Sequence, residues 1–181
     1  MPRLFVAVPI PEAVQRDLAL LQTRMAGARW AKPSQMHLTL RFIGEAIDSD
    51  YHRYREALQE IAVPAFSLQL KGIGHFPPRG TPRVLWVGVA DPAPLQALQS
   101  RVEKTLIAAG LPADKHAYTP HLTLARLERT PAEAVGEFIV RNNLYKSEPF
   151  PVTEYRLYSS KLQPGGVEHT LEAAYPLIGP A

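Results

Sequence analysis

Two copies of the tetrapeptide His-Leu-Thr-Leu are the residues of this chain best suited to carry chemistry. One copy begins at His37 and the other at His121. Because side chains alternate between the two faces of a strand, His37 and Thr39 would share one face while the leucines enter the core, and His121 and Thr123 would do the same. Each copy then presents an imidazole and a hydroxyl side by side.

The pairing of two histidines with two threonines is suited to a phosphate ester. Imidazole has an ordinary pKa of about 6.5, so that near neutral pH one ring can act as a neutral base while the other acts as an imidazolium acid. Threonine hydroxyls can donate to phosphoryl oxygens and hold the phosphorus between the rings. Basic residues follow each copy, at Arg41 and Arg126, and strict alternation predicts that Arg41 shares the face of His37 while Phe42 takes the other.

The elements that must position these motifs form two similar halves. Apolar periodicity, proline and glycine predict in each half a strand, a helix, a motif strand, a second helix and a further strand. In the first half these are Arg3 to Ile10, a helix after Pro11 that ends at Gly27, Met36 to Ile43, a helix from Asp48 or Ser49 to about Ile61, and Phe66 to Ile73. In the second they are Val84 to Ala90, Pro92 to Ala109, His121 to Leu127, a helix opened by Thr130 and Pro131, and Val152 to Lys161, with a last hairpin strand at Val167 to Tyr175.

The spacing of the two halves supports a duplication. Val6 precedes His37 by 31 positions (37 minus 6), and Val87 precedes His121 by 34 (121 minus 87). A duplication of this kind predicts an α+β fold of two pseudo-symmetric β-α-β-α-β lobes about a cleft. We expect a single domain over residues 1–181, with lobe one at about 1–76, lobe two at about 83–181, and the two lobes intertwined. The turn residues at 77–82 form the boundary.

The composition of the chain limits the class of protein, its partners and its cellular compartment. The chain is 46% hydrophobic and 20% charged, which predicts a folded domain, and its formal charge of +3 favours an anionic partner such as nucleic acid. It contains no cysteine, which excludes disulfides and thiolate zinc sites and fits a reducing cytoplasm. The N-terminus makes a poor signal peptide and no stretch has the length of a membrane span, so we expect a cytoplasmic protein with no membrane association.

These residues resemble the 2H phosphoesterases, and within them the RNA 2′,3′-cyclic phosphodiesterases, which are also called RNA 2′-5′ ligases. The likeness covers nearly the whole chain. The segments that carry it are Arg3–Ala7, Trp30 with Pro33, His37–Gly44, Gly72–Pro77, Arg83–Val89 and Pro120–Arg126.

The resemblance implies antiparallel sheets that face a central basic cleft, and an enzyme that hydrolyses RNA 2′,3′-cyclic phosphate ends to 2′-phosphates without metal or cofactor. It implies that His37 is the proton donor and His121 the proton acceptor, although the pseudo-symmetry leaves the reverse assignment open. Thr39, Thr123 and Arg126 would bind the phosphate, and Arg126 needs a bulge or the end of the strand to turn it toward the cleft. Reversible 2′-5′ RNA ligation would follow from the same groups, and we expect a monomer.

Two other classes of function are considered. A metal enzyme is one, because six histidines are present, but neither motif histidine has a second ligand at chelating spacing. A non-catalytic RNA or nucleotide-binding module on the same fold is the other. Among the remaining side chains, Trp30, Trp86 and Tyr118 are predicted to be core rather than base-stacking residues, His52 and His169 ordinary surface residues, and His116 a loop residue at the rim of the cleft.

Overall fold

The strands form two antiparallel sheets in the computed structural model, which describes residues 1–178. In chain order the elements are β1 (Arg3–Pro9), α1 (Glu12–Ala19), β2 (Ala28–Trp30), β3 (His37–Glu45), α2 (Asp48–Ala57), β4 (Phe66–Phe76), β5 (Val84–Ala90), α3 (Ala93–Ala108), β6 (Leu122–Leu127), α4 (Ala132–Asn142), β7 (Phe150–Val152), β8 (Glu154–Gln163) and β9 (Gly166–Pro176). Short 3₁₀ helices lie at Pro33–Gln35 and Leu58–Glu60. The predicted α+β class is confirmed.

Each sheet takes strands from both halves of the chain. One has the order β3-β1-β8-β9 and the other the order β2-β6-β5-β4-β7. The motif strands β3 and β6 are therefore equivalent, as are β1 and β5, β8 and β4, and β9 and β7. The turn region at 77–82 divides the sequence but not the sheets, because β4 pairs with β5 while the last hairpin returns to β1.

The core explains why these segments form these elements. In β1 the residues from Leu4 to Val8 are all buried, as expected for a central strand that is covered on both faces. In α3 the buried side chains recur at helical spacing and face the sheet, at Leu95, Leu98, Val102 and Leu106. Leu4, Val6 and Val8 of β1 and the buried residues of α3 belong to one continuous cluster that runs through both sheets.

Two local predictions are wrong, and one short strand was not predicted. The first helix ends at Ala19 rather than near Gly27, and Leu20 after it is 83% exposed. Gly27, at φ +77°, lies against Glu128, where a Cβ would come within 2.0 Å of the carbonyl oxygen of that residue. This glycine therefore permits the close approach of β2, a strand the sequence did not predict, to β6. The second helix has no side-chain cap from Asp48 or Ser49, because its cap position is Ile47.

No helix within residues 1–178 combines the length and the apolar character that crossing a membrane requires.

Candidate active site

The two motif strands share an irregularity that decides where their side chains point. Pairing of β3 with β1 shifts so that Leu40 is an extra residue, and pairing of β6 with β5 shifts at Leu124 in the same way. A bulge of this kind places two successive residues on one face. Both strands accordingly have the same burial sequence from the histidine onward: half-buried, buried, half-buried, buried, buried, exposed.

The bulge brings the sixth residue of each copy back to the face of the histidine. In the second copy this residue is Arg126, which is exposed, so the structure supplies the bulge that the sequence argument required. In the first copy it is Phe42, which is 63% exposed. The pseudo-symmetry therefore sets an arginine beside one motif and a phenylalanine beside the other.

Arg41 lies on the buried side of β3, so the prediction that it shares the face of His37 is wrong, as is the opposite prediction for Phe42. The Arg41 side chain is 9% exposed and forms an ion pair with Glu103, and it donates to the carbonyl oxygen of Phe42 at 2.6 Å. Glu103 also accepts from the backbone N–H of Asp114 at 2.9 Å. Arg41 thus anchors the loop that leads into the second motif.

Aromatic rings enclose His37. Phe5 stacks on it with ring centroids 4.9 Å apart, Tyr158 lies 6.1 Å away, and His169 meets it edge to face at 5.3 Å. The expectation that His169 is an ordinary surface residue is wrong, because its ring is half-buried here. In a flat sheet β3 and β9 would lie about 14 Å apart, three strand spacings, so this contact shows that the sheet curls until side chains from its two edge strands meet.

The surroundings of His37 favour its neutral form. Burial and the nearby His169 lower the pKa of His37 to about 4, while a hydrogen bond with the backbone of Gln35 acts in the opposite direction. Burial also lowers the pKa of His169. In the ligand-free protein both rings are therefore uncharged at neutral pH.

His121 lies at the corresponding place in the second half. Its ring meets Phe76 edge to face at 4.9 Å, and Nδ1 lies 2.7 Å from the carbonyl oxygen of Thr119. Because a carbonyl only accepts, Nδ1 carries the proton, and Nε2 of the neutral ring is left as a proton acceptor. Each motif histidine thus bonds to the backbone two residues before it, at Gln35 and at Thr119.

A hydrogen bond ties the two motifs together. The Tyr118 hydroxyl, just before the second motif, donates to the carbonyl oxygen of Thr39 in the first at 3.1 Å. A cavity of about 710 Å³ opens beside this contact and includes both Thr39 and His121 in its wall. A smaller cavity of about 370 Å³ includes Gln35 and His169, two neighbours of His37, in its wall.

The other candidate residues lie in the core, on the surface or beside the larger cavity. Trp30 packs on Phe138 and donates to the Thr23 carbonyl oxygen, as a structural residue would. His116 lines the larger cavity, at the rim as predicted, and Tyr118 does so too. His52 is exposed on α2, also as predicted.

Trp86 lies opposite Thr123 in the sheet and covers Gly74, where a Cβ would fall 2.3 Å from the indole ring. Because residues directly opposite in a sheet share a face, Trp86 forms part of the floor on the cleft side. Within residues 1–178, His, Cys, Asp and Glu do not form a group of three that could hold a metal ion.

Comparison with known proteins assigns the family. The sequence model of the 2′-5′ RNA ligase superfamily matches residues 10–163. The chain belongs to this superfamily.

The resemblance to the RNA 2′,3′-cyclic phosphodiesterases is confirmed by two further relatives within the superfamily. A protein of Archaeoglobus fulgidus named RNA 2′,3′-cyclic phosphodiesterase is 34% identical, with 91% of this chain and 94% of that protein covered. One of the same name from Thermus thermophilus is 35% identical, with 98% and 91% covered. The crystal structure of the protein TT0787 of Thermus thermophilus is similar at 28% identity and a TM-score of 0.79, with 98% of each chain covered.

Sequence reasoning on this 2′-5′ RNA ligase superfamily member missed His169, Phe76 and Tyr158 as neighbours of the motif histidines. Phe76 and Tyr158 hold equivalent positions, since Phe76 lies opposite Val84 and Tyr158 opposite Phe5. Each lies two strands away from a motif strand, in β8 or in β4, and local sequence patterns do not report such a distance. Nothing in the sequence indicated that the last hairpin reaches His37.

Proposed function

We propose that this chain is an RNA 2′,3′-cyclic phosphodiesterase that opens 2′,3′-cyclic phosphate ends to 2′-phosphates by two-histidine acid and base catalysis without a metal ion. The observation that carries the proposal is the pair of His-x-Thr strands with the same bulge, joined by the Tyr118 to Thr39 hydrogen bond beside one cavity. The relatives named RNA 2′,3′-cyclic phosphodiesterase support it.

In the proposed reaction His121 is the base. Its Nε2 takes a proton from water, the water oxygen attacks phosphorus in line, and the bond from phosphorus to the 3′ oxygen breaks. His37 gives its proton to that 3′ oxygen. The products are a 2′-phosphate and a free 3′ hydroxyl, and the proton taken by one ring balances the proton given by the other.

His37 must hold a proton to act as the acid, although its pKa is about 4 in the ligand-free protein. A cyclic phosphate carries a negative charge, and an opposite charge close to an imidazole raises its pKa. Substrate binding would thus protonate the ring that burial and His169 keep neutral beforehand. We propose that Thr39, Thr123 and Arg126 bind the non-bridging oxygens, with Arg126 providing the charge-assisted hydrogen bonds.

We further propose that the substrate is an RNA end, that the active form is a monomer and that the protein acts in the cytoplasm. The net positive charge supports an anionic substrate, and a chain without cysteine suits a reducing compartment. Size-exclusion chromatography with light scattering tests the monomer, and fractionation of the source cells tests the compartment.

Incubation of the protein with an RNA that ends in a 2′,3′-cyclic phosphate, in excess chelator, tests the proposal. We expect turnover to a 2′-phosphate, and we expect His37→Ala and His121→Ala each to lower it by about 10² to 10⁴ while the fold stays intact, with a lower melting temperature in His37→Ala because that ring is enclosed. Removing both rings should lower turnover little more than removing one, because the two rings act in a single displacement. Binding without turnover in the parent would favour the RNA-binding module, and activity that requires zinc or manganese would favour a metal enzyme.

A further inference from the structure

The smaller cavity lies between the last hairpin and the segment that leads into the first motif. Gln35 and His169, both neighbours of the His37 ring, form part of its wall, and the described wall does not include either motif histidine. The side-chain amide of Gln35 donates to the carbonyl oxygen of Val167 and so joins the two segments. The cavity therefore adjoins the first motif without being part of it.

Hydrogen-bond donors line two sides of this cavity. From one side Lys32 and Ser34 contribute an ammonium group and a hydroxyl, and both residues are exposed. The other side is formed by β9, which is the outermost strand of its sheet and has one free edge. The carbonyl oxygen of Val167 points outward to Gln35, and in an antiparallel strand the N–H of the same residue points the same way.

These donors suit an anion with several oxygens. None of the ion pairs within residues 1–178 involves Lys32, so its charge is available to a ligand. The carboxylate in the wall, Glu168, is exposed and accepts from the side-chain amide of Gln163 at 3.1 Å. The oxygens of a phosphodiester accept hydrogen bonds, and an ammonium group, a hydroxyl and the N–H groups of a sheet edge are the complementary set.

The proposed reaction determines which phosphate would reach this place. Attack in line puts the leaving 3′ oxygen beside His37, opposite the water that His121 activates. The ribose that carries this oxygen lies on the same side of the reacting phosphorus. Its 5′ carbon, at the far end of the ring, carries the next phosphate of an RNA strand. That phosphate is therefore expected near the neighbours of His37 rather than near His121.

We infer that the smaller cavity binds the phosphate on the 5′ oxygen of the terminal nucleotide, which is the last phosphodiester of an RNA strand that ends in the cyclic phosphate. This inference rests on the proposed function and adds a second phosphate site to it. Lys32, Ser34 and the edge of β9 hold this phosphate. A nucleoside 2′,3′-cyclic phosphate without a 5′ phosphate leaves the site empty. The protein thus distinguishes the end of an RNA strand from a free cyclic mononucleotide.

Three substrates test the site: a nucleoside 2′,3′-cyclic phosphate, the same compound with a 5′ phosphate, and a dinucleotide that ends in the cyclic phosphate. In the parent we expect kcat/KM for the last two to exceed that for the first by roughly 10- to 100-fold, the value of hydrogen bonds to a charged group. Lys32→Ala should remove most of this preference and Ser34→Ala a smaller part of it. With the first substrate both variants should stay within about twofold of the parent.

Lys161→Ala is the matched control, because this lysine is exposed on the same hairpin and lies outside the cavity, and its loss changes the net charge equally. An equal effect there would assign the preference to net charge and overturn the inference. A parent without the preference, or a preference that survives in Lys32→Ala, also overturns it and leaves the phosphodiesterase standing. A preference for the dinucleotide alone would mean that the second nucleoside is recognised instead of the phosphate, and it contradicts the inference too. A parent that hydrolyses none of these substrates overturns the proposed function, and the second phosphate site with it.

Discussion

The ring of His169 meets the ring of His37 edge to face, with the ring centroids 5.3 Å apart. The two residues come from opposite edges of one sheet, and Phe5 contacts both rings between them. A second imidazole at this distance opposes a positive charge on the first. The last hairpin therefore influences a histidine that lies 132 positions earlier in the chain (169 minus 37).

Removal of this neighbour should raise the pKa of His37. In His169→Leu we expect the pKa to move from about 4 toward the ordinary value of about 6.5 while staying below it, because burial, the larger cause, remains. Titration of the imidazole resonances by NMR measures the change. His52→Leu on α2 is the control. A His37 that titrates alike in both variants would show that His169 only packs against it.

The depressed pKa of His37 also makes the stability of the fold depend on pH. Between pH 4 and 6.5 the unfolded chain binds the His37 proton and the folded protein does not, so the free energy of unfolding falls as pH decreases through this range. The variant His37→Phe fills the same aromatic site without a titrating group. Relative to it, the free energy of unfolding of the parent should fall by up to about 3 kcal/mol as the pH decreases through this range. Denaturant unfolding at several pH values measures the difference, which should be constant above pH 7. A difference that is flat from pH 7 to 4 would contradict the shift.

The sequence predicted much of this site because its signals are local. Strand β5 has the predicted bounds of Val84 to Ala90, and the recurrence of His-x-Thr indicated two equivalent strands. Periodicity reports which face of a strand is buried but not which strand lies beside it. For that reason the pairing of β4 with β5, and of β8 with β1, was not predicted.

The bulges show a second limit of prediction from the sequence. A single extra residue at Leu40 reverses the faces of Arg41 and Phe42, and the sequence letters alone gave no sign of it. In the second copy, where the extra residue is Leu124, either a bulge or the end of the strand was expected, and only because the family resemblance required Arg126 on the cleft side. The contact of His169 with His37 depends on the curl of a whole sheet, which local patterns do not encode.

The ion pair beneath the first motif should contribute to stability. Glu103→Ala leaves the Arg41 guanidinium buried without its carboxylate and removes the acceptor for the Asp114 N–H. We expect a loss of about 3 kcal/mol in the free energy of unfolding, as for other ion pairs that are broken from one side. Denaturant unfolding measures it, with Glu137→Ala, an exposed position on α4, as the control. Equal losses in the two variants would mean that the pair contributes nothing.

Arg126 should act on substrate through its charge. Arg126→Ala is expected to lower kcat/KM by roughly 10- to 100-fold, the value of a hydrogen bond to a charged group, and Arg126→Lys by less. The parent should also lose more activity than Arg126→Ala as salt rises, since screening weakens a contact that the variant lacks. Steady-state kinetics over a range of salt test both points. Arg141→Ala, exposed at the end of α4, is the control, and a similar loss there would point to net charge rather than to a phosphate site.

The choice between the two histidines as acid can be decided by the leaving group. Both rings bond to a backbone group two residues earlier, so the local geometry is shared, and the low pKa of His37 concerns the ligand-free state. A general acid matters only if the leaving atom needs a proton. A sulfur in place of the 3′ oxygen leaves as a stable thiolate and removes that need.

We therefore expect His37→Ala to recover most of its lost rate on a cyclic phosphate with sulfur at the 3′ position, whereas His121→Ala stays impaired on both substrates. The reason is that attack by water still requires a base when departure no longer requires an acid. Single-turnover rates of the parent and the variants on both substrates give, for each protein, the ratio of the sulfur rate to the oxygen rate. Thr39→Ala is the control, because it changes a proposed phosphate contact and should leave this ratio as in the parent. Recovery in His121→Ala instead would exchange the roles of the two rings. Recovery in neither would mean that the reaction does not use a separate acid and base.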